Sequence, residues 1–97
     1  MAWRDWLRLG RKKPRMADWR IILYTRQGCH LCETAWELLM DEQRRYGFSL
    51  EKVDVDTEPA LAAEHGLHVP VIVVSGKVRF RGVVNAVLLR RLFAACG

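Results

Sequence analysis

Arg20-Ile21-Ile22-Leu23-Tyr24-Thr25-Arg26-Gln27-Gly28-Cys29-His30-Leu31-Cys32 is the stretch that decides the fold. Its first six residues are apolar and β-branched enough to read as a strand. Arg26-Gln27-Gly28 reads as a turn. Leu31, Ala35, Leu38, Leu39 and Tyr46 then recur at three- and four-residue spacing, which predicts a helix from about His30 to Tyr46. Two cysteines two residues apart therefore lie where a strand passes into a helix. There the first cysteine meets unpaired backbone N–H groups and the positive end of the helix dipole. Both favour the thiolate, the attacking species in disulfide exchange. The second, one turn inside, is placed to close a disulfide with the first.

The elements around this stretch continue the alternation. Glu33 and Glu37 early in the helix and Arg44 and Arg45 late in it suit the dipole, and Gly47 stands at the stop position. Leu50 to Val55 alternates as a second strand. Thr57 is expected to cap a short helix that runs through Glu58 and Pro59 to His65, ended by Gly66. Val69 to Val74 reads as a buried third strand with Pro70 at its start. Ser75-Gly76 turns it into Lys77–Arg81, where alternating arginines charge an edge strand. Val84, Val87, Leu88, Arg91, Leu92 and Ala95 lay out a last amphipathic helix. The predicted order is β-α-β-α-β-β-α.

The chain has 97 residues, of which 51% are hydrophobic, enough for one compact domain and incompatible with compositional disorder. No apolar run approaches the ~20 residues needed to span a bilayer, and Met1 to Arg15 lacks the apolar segment of a secretory signal. A cytoplasmic protein is expected, where a C-x-x-C is catalytic or metal-binding rather than structural. Cys96 is read as an inert thiol. The net charge of +5 is uneven. Residues 1–19 carry six basic side chains against two acidic, and residues 20–97 carry ten against nine. The domain is close to neutral, so nucleic acid is not an expected partner. Residues 1–18 form a basic tail or a short amphipathic helix, with Trp3, Trp6 and Leu7 on one face and Arg4, Arg8 and Arg11 off it. Weak membrane or partner contact through this segment is one reading, and a solvated tail is the other. Residues 19–97 form the domain.

Leu23 to Cys32, Val69-Pro70, and Gly76-Lys77 followed by Gly82 together resemble the glutaredoxin-like branch of the thioredoxin fold. The resemblance spans about residues 20–97. It implies an α/β domain with a four-stranded mixed sheet and helices on both faces. It also implies a Val69-Pro70 peptide bond in the cis form, with Pro70 forming one wall of the site. Cys29 would be the nucleophile and Cys32 the resolving thiol. Arg26 would meet a carboxylate of glutathione, Val69 would offer backbone groups to its cysteinyl part, and Gly82 marks the glycine stretch before the last helix. This chain departs from the family pattern at His30-Leu31, at His68, and at Gly82-Val83-Val84-Asn85.

The activity implied is thiol–disulfide exchange on protein or glutathione mixed disulfides by a monomer, with glutathione or a thioredoxin-type reductase supplying electrons and no bound cofactor. His30, if charged, would favour the Cys29 thiolate. No metal site is expected, because zinc needs four ligands at matched spacing and no second C-x-x-C or H-x₃₋₅-H occurs. A redox-silent binding or adaptor module on the same fold is the competing reading. His65 and His68 are read as loop histidines, and Trp36 and Met40 as core or helix-surface residues.

Overall fold

The computed structural model describes residues 18–96. The expectation of a tail or amphipathic helix at the N-terminus lies outside the described residues, and the Cys96 side chain is likewise not described. The elements run β1 (Arg20–Thr25), α1 (His30–Tyr46), β2 (Ser49–Asp54), a 3₁₀ turn (Val55–Thr57), α2 (Pro59–His65), β3 (Val71–Val74), β4 (Lys77–Arg81) and α3 (Ala86–Cys96). This is the predicted order with one added 3₁₀ turn.

The four strands form one mixed sheet in the order β2-β1-β3-β4. β1 and β2 are parallel, a pairing that needs a long crossover, and α1 supplies it. β3 runs antiparallel to both β1 and β4. The β3–β4 turn uses Ser75 at φ 47° and Gly76 at φ 88°. Two successive positive φ values are the mark of the tight hairpin turn whose twist matches its strands. A bulge between Ile72 and Val73 leaves Arg79 as the extra residue of β4, so the two arginines expected to alternate there are not in simple register.

Strand alternation sorts β1 between two layers. Ile21 and Leu23 point into a core with Ala35 and Leu39 of α1, Ile72 and Val74 of β3, and Leu89 and Phe93 of α3. Phe93 stacks obliquely on Phe48, Tyr46 and Trp19 at centroid distances of 5.3, 5.6 and 6.1 Å, which ties α3 to the far end of α1. The other face carries Tyr24, whose ring lies against His65 of α2 at 4.6 Å and 24°. Helices therefore cover both faces. His65 ends α2 where the sequence predicts, but it is buried rather than an open residue bordering the following loop.

Three boundaries differ from expectation for stated reasons. Thr57 does not cap α2, because its hydroxyl donates to the Asp54 carbonyl at 2.7 Å within the 3₁₀ turn. Glu58 holds the cap position without a side-chain bond, and Pro59 opens the helix. β3 begins at Val71, after a cis Val69-Pro70 bond, because proline has no N–H to give to the ladder. α3 begins at Ala86, where Asn85 Oδ1 accepts from the N–H groups of Val87 (2.8 Å) and Leu88 (3.1 Å).

The register fixes which loops meet. Thr25 pairs with Asp54, Tyr24 with Val71, and Val71 with Arg81. The ends of β1, β2 and β4 and the start of β3 thus share one edge. The Cys29 turn, the 3₁₀ turn, the loop before β3 and the loop after β4 all emerge there.

Candidate functional site: a disulfide at a helix start

The turn that delivers Cys29 closes with its N–H donating to the Arg26 carbonyl at 3.2 Å, and Gly28 adopts φ 78°, which a residue with a Cβ resists. Cys29 is the N-cap of α1. Its Sγ accepts the Cys32 N–H at 3.1 Å, where a serine or aspartate oxygen ordinarily sits. Cys29 and Cys32 are joined by a disulfide, with Cα atoms 5.2 Å apart. The two cysteines differ in access. Cys29 is half-buried, whereas Cys32 is 3% exposed under the first turn. In the dithiol form, the Cys32 N–H and the helix dipole both favour negative charge on the Cys29 sulfur.

A cleft of about 490 Å³ opens beside the pair, walled by the Arg26–Cys29 turn, one face of α1 through Cys32, Glu33, Trp36 and Glu37, and Lys52 and Asp54 of β2. Trp36 is both packed on the core and a wall of this cleft, with Lys52 Nζ 4.8 Å from its ring centroid. Lys52 and Asp54 are not among the residues expected at the site from sequence, and Glu37 is read there only as suiting the helix dipole. The alternation of β2 was legible, but which of its faces meets α1 depends on the sheet register.

Arg26 is paired at the surface with Asp56, the two side chains being 37% and 49% exposed. Its Nε and Nη2 donate to both Asp56 carboxylate oxygens, at 3.1 and 3.0 Å, and Nη1 donates to the Gly66 carbonyl at 3.1 Å. This two-point pairing holds the guanidinium more firmly protonated than usual, through the Asp56 hydrogen bond first and its charge second. A raised arginine value means the pair keeps its cation at every pH below the ordinary arginine range and loses it only above. Gly66 is buried against this group. A Cβ there would lie 2.5 Å from the Ala62 carbonyl oxygen and 2.7 Å from Arg26 Nη2. Asp56, absent from the sequence-derived site, lies just beyond β2 where the parallel register brings it beside the Arg26 turn.

Val69, Pro70 and Gly82 form a second group at the same edge. The Gly82 N–H donates to the carbonyls of both His68 and Pro70 at 2.9 Å, clasping the segment that holds the cis bond. These residues do not line the cleft on the Arg26 side. His30 is exposed, with Nδ1 3.8 Å from Glu33 Oε2. Among the described residues, no three His, Cys, Asp or Glu side chains converge as a metal site, and no helix is long and apolar enough to cross a membrane.

The sequence profile of the Glutaredoxin-like domain (DUF836) matches residues 20–93. The chain belongs to this glutaredoxin-like family. An X-ray structure of a protein from X. campestris is 35% identical, with TM-score 0.62, over 79% of this chain and 99% of that one. The solution structure of a Nitrosomonas europaea protein is 23% identical, with TM-score 0.67, covering 84% and 98%. A thioredoxin from Halobacterium salinarum is 21% identical, with TM-score 0.61, covering 81% and 74%. The latter two establish the thioredoxin-like fold. An uncharacterised protein of Mycobacterium tuberculosis is 33% identical over 63 residues, 60% of this chain. The match takes in about 65% of the length of that curated relative. This glutaredoxin-like domain thus carries its cysteine pair at disulfide distance, with Cys29 capping α1 at the end of the turn from β1 and Cys32 in the first turn of α1.

Proposed function

We propose that this glutaredoxin-like domain is a thiol–disulfide oxidoreductase, in which Cys29 attacks and Cys32 resolves. The observation that carries the reading is the N-cap position of Cys29, with the Cys32 N–H aimed at its sulfur. In the reduced protein the Cys29 thiolate bonds to one sulfur of a substrate disulfide. The substrate S–S bond breaks, and its other sulfur leaves as a thiolate that takes a proton from solvent. Cys32 then gives its proton to solvent and displaces the second sulfur. The pair loses two electrons and the substrate disulfide gains them. An external thiol, glutathione or a dithiol reductase, returns the pair to the dithiol. The burial of Cys32 supports this order, because an outside disulfide meets Cys29 first.

Polypeptide disulfides are favoured as substrates by the apolar side chains at the same edge. Leu67, before the cis bond, is 91% exposed, and Val83, after Gly82, is 72% exposed. Leu31, between the cysteines, is also exposed.

The test is mixed-disulfide trapping by mass spectrometry. Reduced Cys32→Ser should accumulate one stable adduct on Cys29 when given a disulfide-bearing peptide. Cys29→Ser should form none and should not turn over. An inert Cys32→Ser variant, alongside a wild type that shows no turnover with glutathione or dithiothreitol, would leave a redox-silent binding module.

A further inference from the structure

The charges that face the cleft do not suit an anionic substrate. Its walls carry Glu33, Glu37 and Asp54 as acids, with Arg26 and Lys52 as bases. The Arg26 guanidinium is already matched by both oxygens of Asp56 and by the Gly66 carbonyl. A bidentate carboxylate satisfies an arginine in the same planar geometry that an incoming carboxylate would use. Lys52 Nζ lies over the Trp36 ring. The remaining wall charge on the α1 side is that of Glu33 and Glu37, with exposed His30 beside Glu33.

We infer that Asp56 sets the substrate class of the disulfide site: by occupying Arg26 it withholds one of the cleft's two cations from anionic disulfides such as oxidised glutathione, leaving uncharged and cationic polypeptide disulfides as the preferred oxidants of Cys29. The inference rests on the thiol–disulfide reading above. Asp56 acts through Arg26 and touches neither sulfur, so it is a positioning residue. The exchange step is unchanged by it; what changes is which disulfide is held near Cys29 while its S–S bond is broken.

The experiment uses the full chain, reduced with dithiothreitol and freed of it. Second-order rate constants for oxidation of the Cys29–Cys32 pair are measured with oxidised glutathione, bis(2-hydroxyethyl) disulfide and cystamine, which are anionic, uncharged and cationic. The readout is the glutathione-to-cystamine ratio in a variant divided by that in the wild type, which cancels the intrinsic reactivity of each disulfide. Asp56→Asn keeps the side-chain shape but releases the Arg26 charge, so the ratio should rise about tenfold at low salt and lose that gain in concentrated salt. Asp41→Asn removes an equal charge and releases an equal arginine, Arg44, outside the cleft lining, and should move the ratio by no more than about twofold. A double variant, Asp56→Asn with Arg26→Gln, should return to the wild-type ratio. An Asp56→Asn ratio no larger than that of Asp41→Asn overturns the inference.

A second measurement needs no substitution. In the wild type, the oxidised-glutathione rate constant should not fall with added salt relative to that of the uncharged disulfide. A steep fall would mean that the anion is attracted, and the inference would be wrong. A wild type that reacts with none of the three disulfides would instead remove the oxidoreductase reading itself.

Discussion

Replacing Gly66 by alanine pits two effects of opposite sign against each other. Gly66 has φ −56° and ψ −35°, a conformation any residue adopts, and it closes α2 with its N–H on the Ala62 carbonyl at 2.9 Å. On backbone grounds alone Gly66→Ala should stabilise the protein by about 0.4–1 kcal/mol, because alanine restricts the unfolded chain. The space around Gly66 opposes this. The new Cβ would sit 2.5 Å from the Ala62 oxygen and 2.7 Å from Arg26 Nη2, both far inside ordinary contact. The arginine can retract only by loosening its bonds to Asp56 and the Gly66 carbonyl. The Ala62 oxygen is backbone and moves only with the end of α2. Overpacking of this kind costs about 1–3 kcal/mol. With the loosened Arg26 contacts adding in the same direction, the balance falls on destabilisation, by about 1–2 kcal/mol. For a domain of this size that corresponds to a Tm lower by roughly 5–15 °C. Thermal and urea unfolding of the oxidised protein measure it, with the disulfide intact in both forms. A Gly66→Ala variant more stable than wild type by half a kcal/mol or so, as the backbone term alone predicts, would refute the packing argument and the fixed position it assigns to Arg26.

Further expectations follow from single contacts. Glu42 is buried on α1 with Oε2 lacking a hydrogen-bond partner among the described residues, and its ion pairs to exposed Arg45 and Arg90 are long, at 3.8 and 4.0 Å. Glu42→Met should therefore raise stability by about 1 kcal/mol, since the unsatisfied oxygen costs more than such exposed pairs return; a loss of stability on chemical denaturation would contradict this. Asn85→Ala removes the acceptor for two N–H groups at the start of α3 and should cost about 1 kcal/mol, with Asn85→Asp retaining most of it. If the alanine variant unfolds at the wild-type urea midpoint, the cap carries no weight.

Much of the chain was legible because its signals are local. Residues of β1 repeat every second position and those of α1 at three- and four-residue spacing. Gly47 stops α1 in the left-handed conformation expected of it, at φ 76°. Val69-Pro70 is cis as the resemblance implied. Thr57 misled because a hydroxyl before a helix can cap it or bond back into a preceding turn, and the choice depends on Asp54. His65 ends α2 as predicted, but its burial was not legible, because it comes from Tyr24, a partner more than forty residues earlier in the chain.

Beside the thioredoxin fold that its resemblance implies, the sequence by itself determined an α/β order of elements and a cysteine pair opening the first helix. Those properties follow from short-range periodicity and from the backbone groups a helix leaves unpaired at its start. Tertiary structure decided what surrounds the pair. The sheet register set β2 one strand from β1, put Asp56 against Arg26 across 30 residues, and made Lys52, Asp54 and Trp36 walls of one cleft. Whether a surface arginine in a turn is open to a substrate or already matched depends on which carboxylate the fold brings within 3 Å or so, and hydrogen bonds of that range hold no trace in the linear order of residues.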